Sequence, residues 1–110
     1  MVHPAGNPQN IPLLIQGLEE INRSQNMDDI PPNVWHDLGI STELTLDEKI
    51  QSLLNVITTL KNSATTRKEL NLLIKSVIKL RDLTTNKDLQ VSTAKLLGTI
   101  TRKLAALQDS

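Results

Sequence analysis

Apolar residues recur every three or four positions along most of this chain, which is the spacing of one face of an α-helix. The first such stretch has its apolar residues at Ile11, Leu14, Ile15, Leu18 and Ile21. It predicts a helix from Ile11 or Pro12 to about Arg23, with Asn10 as its cap. No stretch of useful length alternates between apolar and polar residues as a strand would, so the pattern predicts an all-α protein.

The clearest periodicity lies in the middle of the chain and begins with a helix-start signal. Thr45 and Glu48 have the spacing of a capping box, in which each side chain accepts a hydrogen bond from the other residue's backbone N–H. The apolar positions that follow are Leu46, Ile50, Leu53, Leu54, Ile57 and Leu60. The polar break at 62–64 is expected to end this helix.

A second capping box, Thr66 with Glu69, starts the next apolar stretch. Its apolar residues are Leu70, Leu72, Leu73, Ile74, Val77, Ile78, Leu80 and Leu83. So broad a stripe indicates either a central helix or two short helices that bend near Leu73. After a break at 84–86, a last helix is predicted over 87–107. Its apolar positions are Leu89, Ala94, Leu97, Ile100, Leu104 and Leu107.

Two prolines and a glycine shape the connection between the first two helices. Pro31 and Pro32 disfavour helix, which predicts a loop over 24–32. A short turn is expected over 33–38, ended by Gly39. It would place the only aromatic residue, Trp35, for which a core position is favoured over a role as a binding hot spot.

The composition supports a single helical domain over 11–110, preceded by a disordered leader over 1–10. Its apolar residues are almost all aliphatic, which suits helix-on-helix packing. There is no cysteine for a disulfide or a thiolate zinc site, which fits an intracellular protein. No apolar run approaches the length of a membrane span.

Charge is divided between the two halves of the chain. Residues 61–110 hold ten Lys and Arg against four Asp and Glu, a net charge of +6, whereas residues 1–60 hold two against eight, a net charge of −6. The zero net charge of the whole chain therefore hides a strong dipole, which favours steered contact with a charged macromolecule.

The residues that could carry chemistry do not form a catalytic pattern. His36 stands next to Trp35 and Asp37, but no nucleophile motif and no second nearby histidine accompany it. The four glycines are scattered, so no phosphate-binding loop is indicated. We therefore expect a protein that is not an enzyme and has neither cofactor nor metal.

Nucleic acid is a possible partner for the basic half, since such cations could contact phosphates. However, the positive residues are spread around helices with apolar stripes, no aromatic stacking platform accompanies them, and the acidic half would weaken attraction to polyanions. An acidic protein segment matches the same charge better.

The second half of the chain resembles the N-terminal helical domain of RNA polymerase II elongation factor S-II. Relatives of that domain occur in elongin A, in a Mediator subunit and in the integrase-binding domain of lens-epithelium-derived growth factor. The resemblance covers about residues 53–107. The segments that carry it are the Leu-rich helix that ends at Leu60, then 66–70, 77–81, 87–89, 94–97 and 101–104. The chain departs from the family pattern at Thr101, where the family has Trp, and in lacking a Gly near 73–74.

The resemblance implies a compact right-handed bundle of four or five helices. It also implies a nuclear adaptor domain of transcription regulation, monomeric and non-enzymatic. Such domains bind short disordered segments in which acidic residues flank apolar anchors. On this chain, Lys79, Arg81 and Lys87 would contact the acidic residues, and Leu83 and Leu89 would line the pocket. The loops at 62–66 and 84–87 would form its rims.

A different class of function is a helical subunit of an obligate protein assembly. In that case Ile40, Leu44 and the broad apolar face of 70–83 would contact another chain. A subunit of this kind is expected to dimerise, aggregate or melt weakly without its partner, whereas an adaptor is a stable monomer.

Overall fold

Helices form all the regular structure of residues 11–109, the part of the chain that the computed structural model describes. There are five α-helices in this part: α1 (Ile11–Arg23), α2 (Pro32–Asp37), α3 (Leu46–Ser63), α4 (Arg67–Leu83) and α5 (Lys87–Asp109). A 3₁₀ turn, Met27–Asp29, lies between α1 and α2. The predicted all-α bundle is confirmed, whereas the leader at 1–10 and its capping residue Asn10 lie outside the described residues.

Both predicted capping boxes are confirmed. The Thr45 hydroxyl accepts the Glu48 N–H at 3.2 Å, and the Glu48 carboxylate accepts the Thr45 N–H at 2.9 Å. At the start of α4 the corresponding bonds between Thr66 and Glu69 are both 3.2 Å. α4 then continues unbroken to Leu83, so the alternative of two short helices is wrong.

The prediction for the two prolines is wrong at the second of them. α2 begins at Pro32, and only Pro31 stays extended, with φ of −61° and ψ of 148°. The first turn of a helix has no partner for its backbone N–H groups, so a residue that lacks the N–H fits there. At the other end, Gly39 has a φ of +74° and ends α2 as predicted.

α4 is the central helix, as its broad apolar stripe predicted. It packs against α1, α3 and α5, while α2 packs against α1. The buried aliphatic residues of α3 and α4 are Ile50, Leu53, Leu54, Ile57, Leu60, Leu70, Leu73, Val77 and Leu80. Ile40 is also buried within this chain, so the expectation that it contacts another chain is wrong. Leu44 is half-buried and packs on the same core.

Two residues assigned to apolar faces lie outside the core. Leu46, the first residue of α3, is 44% exposed, and Ala94 on α5 is also exposed. The neighbouring Thr93 is fully buried instead, and its hydroxyl donates to the Gln90 carbonyl at 2.7 Å. A hydroxyl that is satisfied by its own helix can enter an apolar core, and this is why counting only apolar residues missed it.

Candidate functional site

The basic residues predicted to bind a partner do not share one surface. Lys79 is half-buried, and its Nζ donates to the Ser24 carbonyl just beyond α1. Arg81 is exposed, with its Nε 3.9 Å from Asp82 Oδ1. Because two residues correspond to about 200° of helix rotation, Lys79 and Arg81 point to opposite sides of α4.

The predicted pocket residues belong largely to the interior. Leu89 is only 6% exposed, and Leu83 is half-buried against the core. Lys87, the first residue of α5, is exposed. The two loops expected to form the rims lie at opposite ends of the 17-residue α4, about 25 Å apart along its axis. They therefore cannot border one pocket.

The connection between α4 and α5 is held by polar contacts that the sequence analysis did not identify. Thr84 is buried, and its hydroxyl donates to Asp47 Oδ1 at 3.3 Å. The Gln90 side-chain amide donates to the Thr84 carbonyl at 3.1 Å. Asn86 Oδ1 accepts the Leu89 N–H at 3.1 Å and so caps α5. Only this cap has a local sequence signal, an Asn directly before a helix.

The cations of α4 and α5 fall into two groups. Lys79 and Lys103 donate to the carbonyls of Ser24 and Lys61, close to the C-terminal ends of α1 and α3, where cations stabilise helices. The remaining cations are exposed to solvent. Apart from Arg81, they are Arg67, Lys68, Lys75, Lys87, Lys95 and Arg102, which we call the basic surface.

The basic surface is not neutralised within the described part of the chain. The ion pairs found among the described residues are Arg23 with Glu20 and Arg81 with Asp82. α4 and α5 pack against each other, so six unpaired cations occupy two neighbouring helices. This arrangement can attract an anionic partner.

The recess at the α3–α4 corner is too small to bind a ligand. It is lined mainly by apolar side chains, including Ile11, Leu60, Leu72 and Leu73, and has a volume of about 10 Å³, enough for one water molecule at most. A wide depression beside α2 includes His36, with no other titratable group in its lining. Among residues 11–109, no three His, Cys, Asp or Glu side chains are placed to hold a metal ion.

Trp35 is a core residue, as predicted. Its side chain is 2% exposed, and the Nζ of Lys49 lies 5.0 Å from the ring centroid. At this distance a cation–π interaction is favourable. The only aromatic residue of the chain is therefore unable to stack on a nucleic-acid base.

Glu69 makes the stability of the α4 start depend on pH. Hydrogen bonds from the backbone N–H of Thr65, and then from Thr66, lower the pKa of its carboxyl below the usual 4.5. Because the pKa is lower in the folded protein, the stabilisation is complete above the ordinary carboxyl pKa and is lost as the pH falls through the folded value. We expect Glu69→Gln to be less stable than the wild type at pH 7 in urea unfolding, and the gap to shrink towards pH 3. Glu43→Gln, at an exposed loop carboxylate, is the control, and a gap that stays constant with pH would contradict this account.

None of the helices in residues 11–109 is long and apolar enough to cross a membrane. Comparison with known proteins gives no match: no family model fits the chain, and no curated protein or solved structure is significantly similar to it.

Proposed function

We propose that this chain is a non-enzymatic interaction domain that binds disordered segments of partner proteins in which acidic residues flank apolar anchors. The basic surface carries this proposal, because its six cations have no ion-pair partner among the described residues and lie on two helices that pack together. A segment rich in Asp and Glu would provide the missing negative charge and would be steered towards these two helices.

The carboxylates in the acidic half of the chain favour a short acidic partner over a long polyanion. Its exposed carboxylates lie on α1, α2, the links between them and the first turn of α3, and include Glu19, Asp28, Asp37 and Glu48. These groups would repel a long polyanion that extended beyond the basic surface, whereas a short acidic peptide can stay within it. With Trp35 buried, base stacking is also unavailable. Both features favour a protein partner over nucleic acid.

The resemblance to the N-terminal domain of elongation factor S-II supports the same proposal and adds a setting. Domains of that family capture acidic and apolar motifs of transcription regulators. We therefore propose transcription regulation in the nucleus as the context in which this domain acts, as a monomer.

The alternative of an assembly subunit is supported by exposed aliphatic side chains. Leu13, Leu46 and Val91 are 42%, 44% and 54% exposed. They lie on three different helices, α1, α3 and α5. Size-exclusion chromatography with light scattering separates the two proposals, since an adaptor elutes as a monomer and an obligate subunit as an oligomer or an aggregate.

Binding is tested by NMR titration of the isotope-labelled 110-residue chain with acidic peptides that contain Phe or Leu anchors. We expect amide shifts on α4 and α5, and none with a neutral scrambled peptide. Reversal of Lys75, Lys87 and Lys95 to Glu should weaken binding about tenfold or more, equivalent to about 1.4 kcal/mol. Lys79 and Lys103 are left unchanged, because each donates to a backbone carbonyl of the fold.

The matched control is Arg23→Glu, which reverses an exposed cation on α1 that already pairs with Glu20 and is not part of the basic surface. It should leave the affinity within about twofold of the wild type. A folded monomer that shows no shift with any acidic peptide would overturn the proposed function. Equally tight binding of generic DNA or RNA, with a steep salt dependence, would replace it with nucleic-acid binding.

A further inference from the structure

One long side of α5 carries small, mostly apolar residues and is largely exposed to solvent. Its residues are Val91, Ala94, Gly98, Thr101 and Ala105, which we call the outer face of α5. Their spacing of three and four residues places them on one side of the helix. Val91 is 54% exposed, more than either of the other exposed large hydrophobic residues described, Leu13 and Leu46.

This face has no partner within the described chain. α5 packs against α4 and α3 through its opposite side, where Leu89, Thr93 and Ile100 are buried. Ala94, Thr101 and Ala105 are exposed. The outer face therefore does not contribute to the core formed by the described residues.

Close packing among the described residues does not require the glycine of the outer face. A Cβ built on Gly98 would meet only the Arg102 Nη2 atom, at 3.8 Å. A glycine within a helix is less favourable than alanine because it loses more conformational freedom on folding. Among the described residues no neighbour requires that position 98 lack a side chain, whereas a helix docked on the outer face could approach closely there.

Charge identifies what would dock on the outer face. Lys95 and Arg102, seven residues apart, border one edge of it, and Lys87 lies at its N-terminal end. None of the three has a carboxylate partner among the described residues. The other edge is formed by the half-buried Leu97 and Leu104. A partner helix that matches this surface would have a stripe of aliphatic residues, with Asp or Glu along one side of the stripe.

We propose that the outer face of α5 binds an acidic amphipathic helix of a partner protein. This rests on the proposed function and adds the surface, the conformation of the bound segment and the residue that permits close contact. The segment orders on binding, with its aliphatic stripe over Gly98 and its acidic side towards Lys95 and Arg102.

The test uses the full 110-residue chain and a designed peptide of about 20 residues, with Leu and Ala at spacings of three and four and Glu on one flank. Calorimetry gives the affinity, and the peptide's circular dichroism should show helix formation on binding. Gly98→Leu should weaken binding at least about tenfold, because a bulky side chain separates the two helices. Lys95→Glu with Arg102→Glu should give a similar loss.

The matched control is Thr99→Leu, which adds the same side chain at an exposed position of α5 outside the outer face. It should change the affinity by less than about twofold. The helical signal of each variant without peptide is compared with that of the wild type, so that loss of binding is not confused with loss of fold. Gly98→Ala should raise the melting temperature, since no atom of the described residues opposes its methyl group.

The remaining outcomes separate this inference from the proposed function. If acidic peptides bind but Gly98→Leu has no effect, the outer face is not the site and the proposed function stands. If no acidic peptide binds a folded monomer, both fail. If the chain alone forms a dimer that Gly98→Leu dissociates, the occupant is a second copy and the partner helix is overturned.

Discussion

Replacing Trp35 with alanine is expected to lower the free energy of unfolding by about 3–5 kcal/mol. The indole is 2% exposed and is the only aromatic ring of the protein. It belongs to α2, a six-residue helix that is too short to be stable without its side-chain contacts. Removing the indole would leave a cavity in a core whose other members carry no ring, and such a site relaxes only partly. Urea unfolding followed by circular dichroism measures the loss.

The neighbouring residue provides the control for this experiment. His36→Ala changes an exposed side chain on the same helix and should alter stability by less than about 0.5 kcal/mol. Trp35→Phe, which keeps a ring in the site, should lower the free energy of unfolding by less than Trp35→Ala and by more than His36→Ala. A folded Trp35→Phe protein should also bind acidic peptide as the wild type does. A loss of binding without a loss of stability would instead make Trp35 the hot spot that its burial argues against.

The helices could be predicted from the sequence because their signals are local. Both capping boxes join residues three positions apart, and the apolar spacing of α3 lies within a single helix. The predictions failed at Pro32 and Leu46, which lie at helix starts, and at Thr93, a polar residue in the core. These failures have local causes too. A rule based on apolar spacing does not resolve which side chain of the first turn points inward.

The candidate site was harder to predict because contacts with residues far away in the sequence decide which cations are available to a partner. Lys79 and Lys75 look alike in the sequence, yet Lys79 donates to Ser24, which is 55 positions away. Lys103 donates in the same way to the Lys61 carbonyl, whereas Lys95 and Arg102 make no such contact among the described residues. Only the packing of the helices shows which cations stabilise the fold and which remain available to a partner. That distinction moves the candidate contacts from Lys79 and Leu89 to the exposed side of α5.

Gly17→Val is expected to destabilise the protein by about 2–3 kcal/mol, because α1 lies close to Leu38, the residue that follows α2, at this position. A Cβ at Gly17 would lie 2.7 Å from both Cγ and Cδ2 of Leu38. Leu38 is itself 4% exposed, and its Cγ is not the free end of a flexible chain, so it cannot move aside without disturbing the core.

The second helical glycine makes this prediction a matched comparison. Gly98→Val introduces the same side chain where the nearest atom is 3.8 Å away on a long arginine, and it should change stability by less than about 0.5 kcal/mol. Intrinsic helix propensity is the same for both substitutions, so the difference between them isolates the steric cost at Leu38. Equal unfolding midpoints for the two variants would show that α2 can shift away from α1, and that the α1–α2 contact is not tightly packed. A much lower midpoint for Gly17→Val alone would establish that one helix pair needs its glycine for folding, while the glycine of α5 remains free to serve a contact outside the chain.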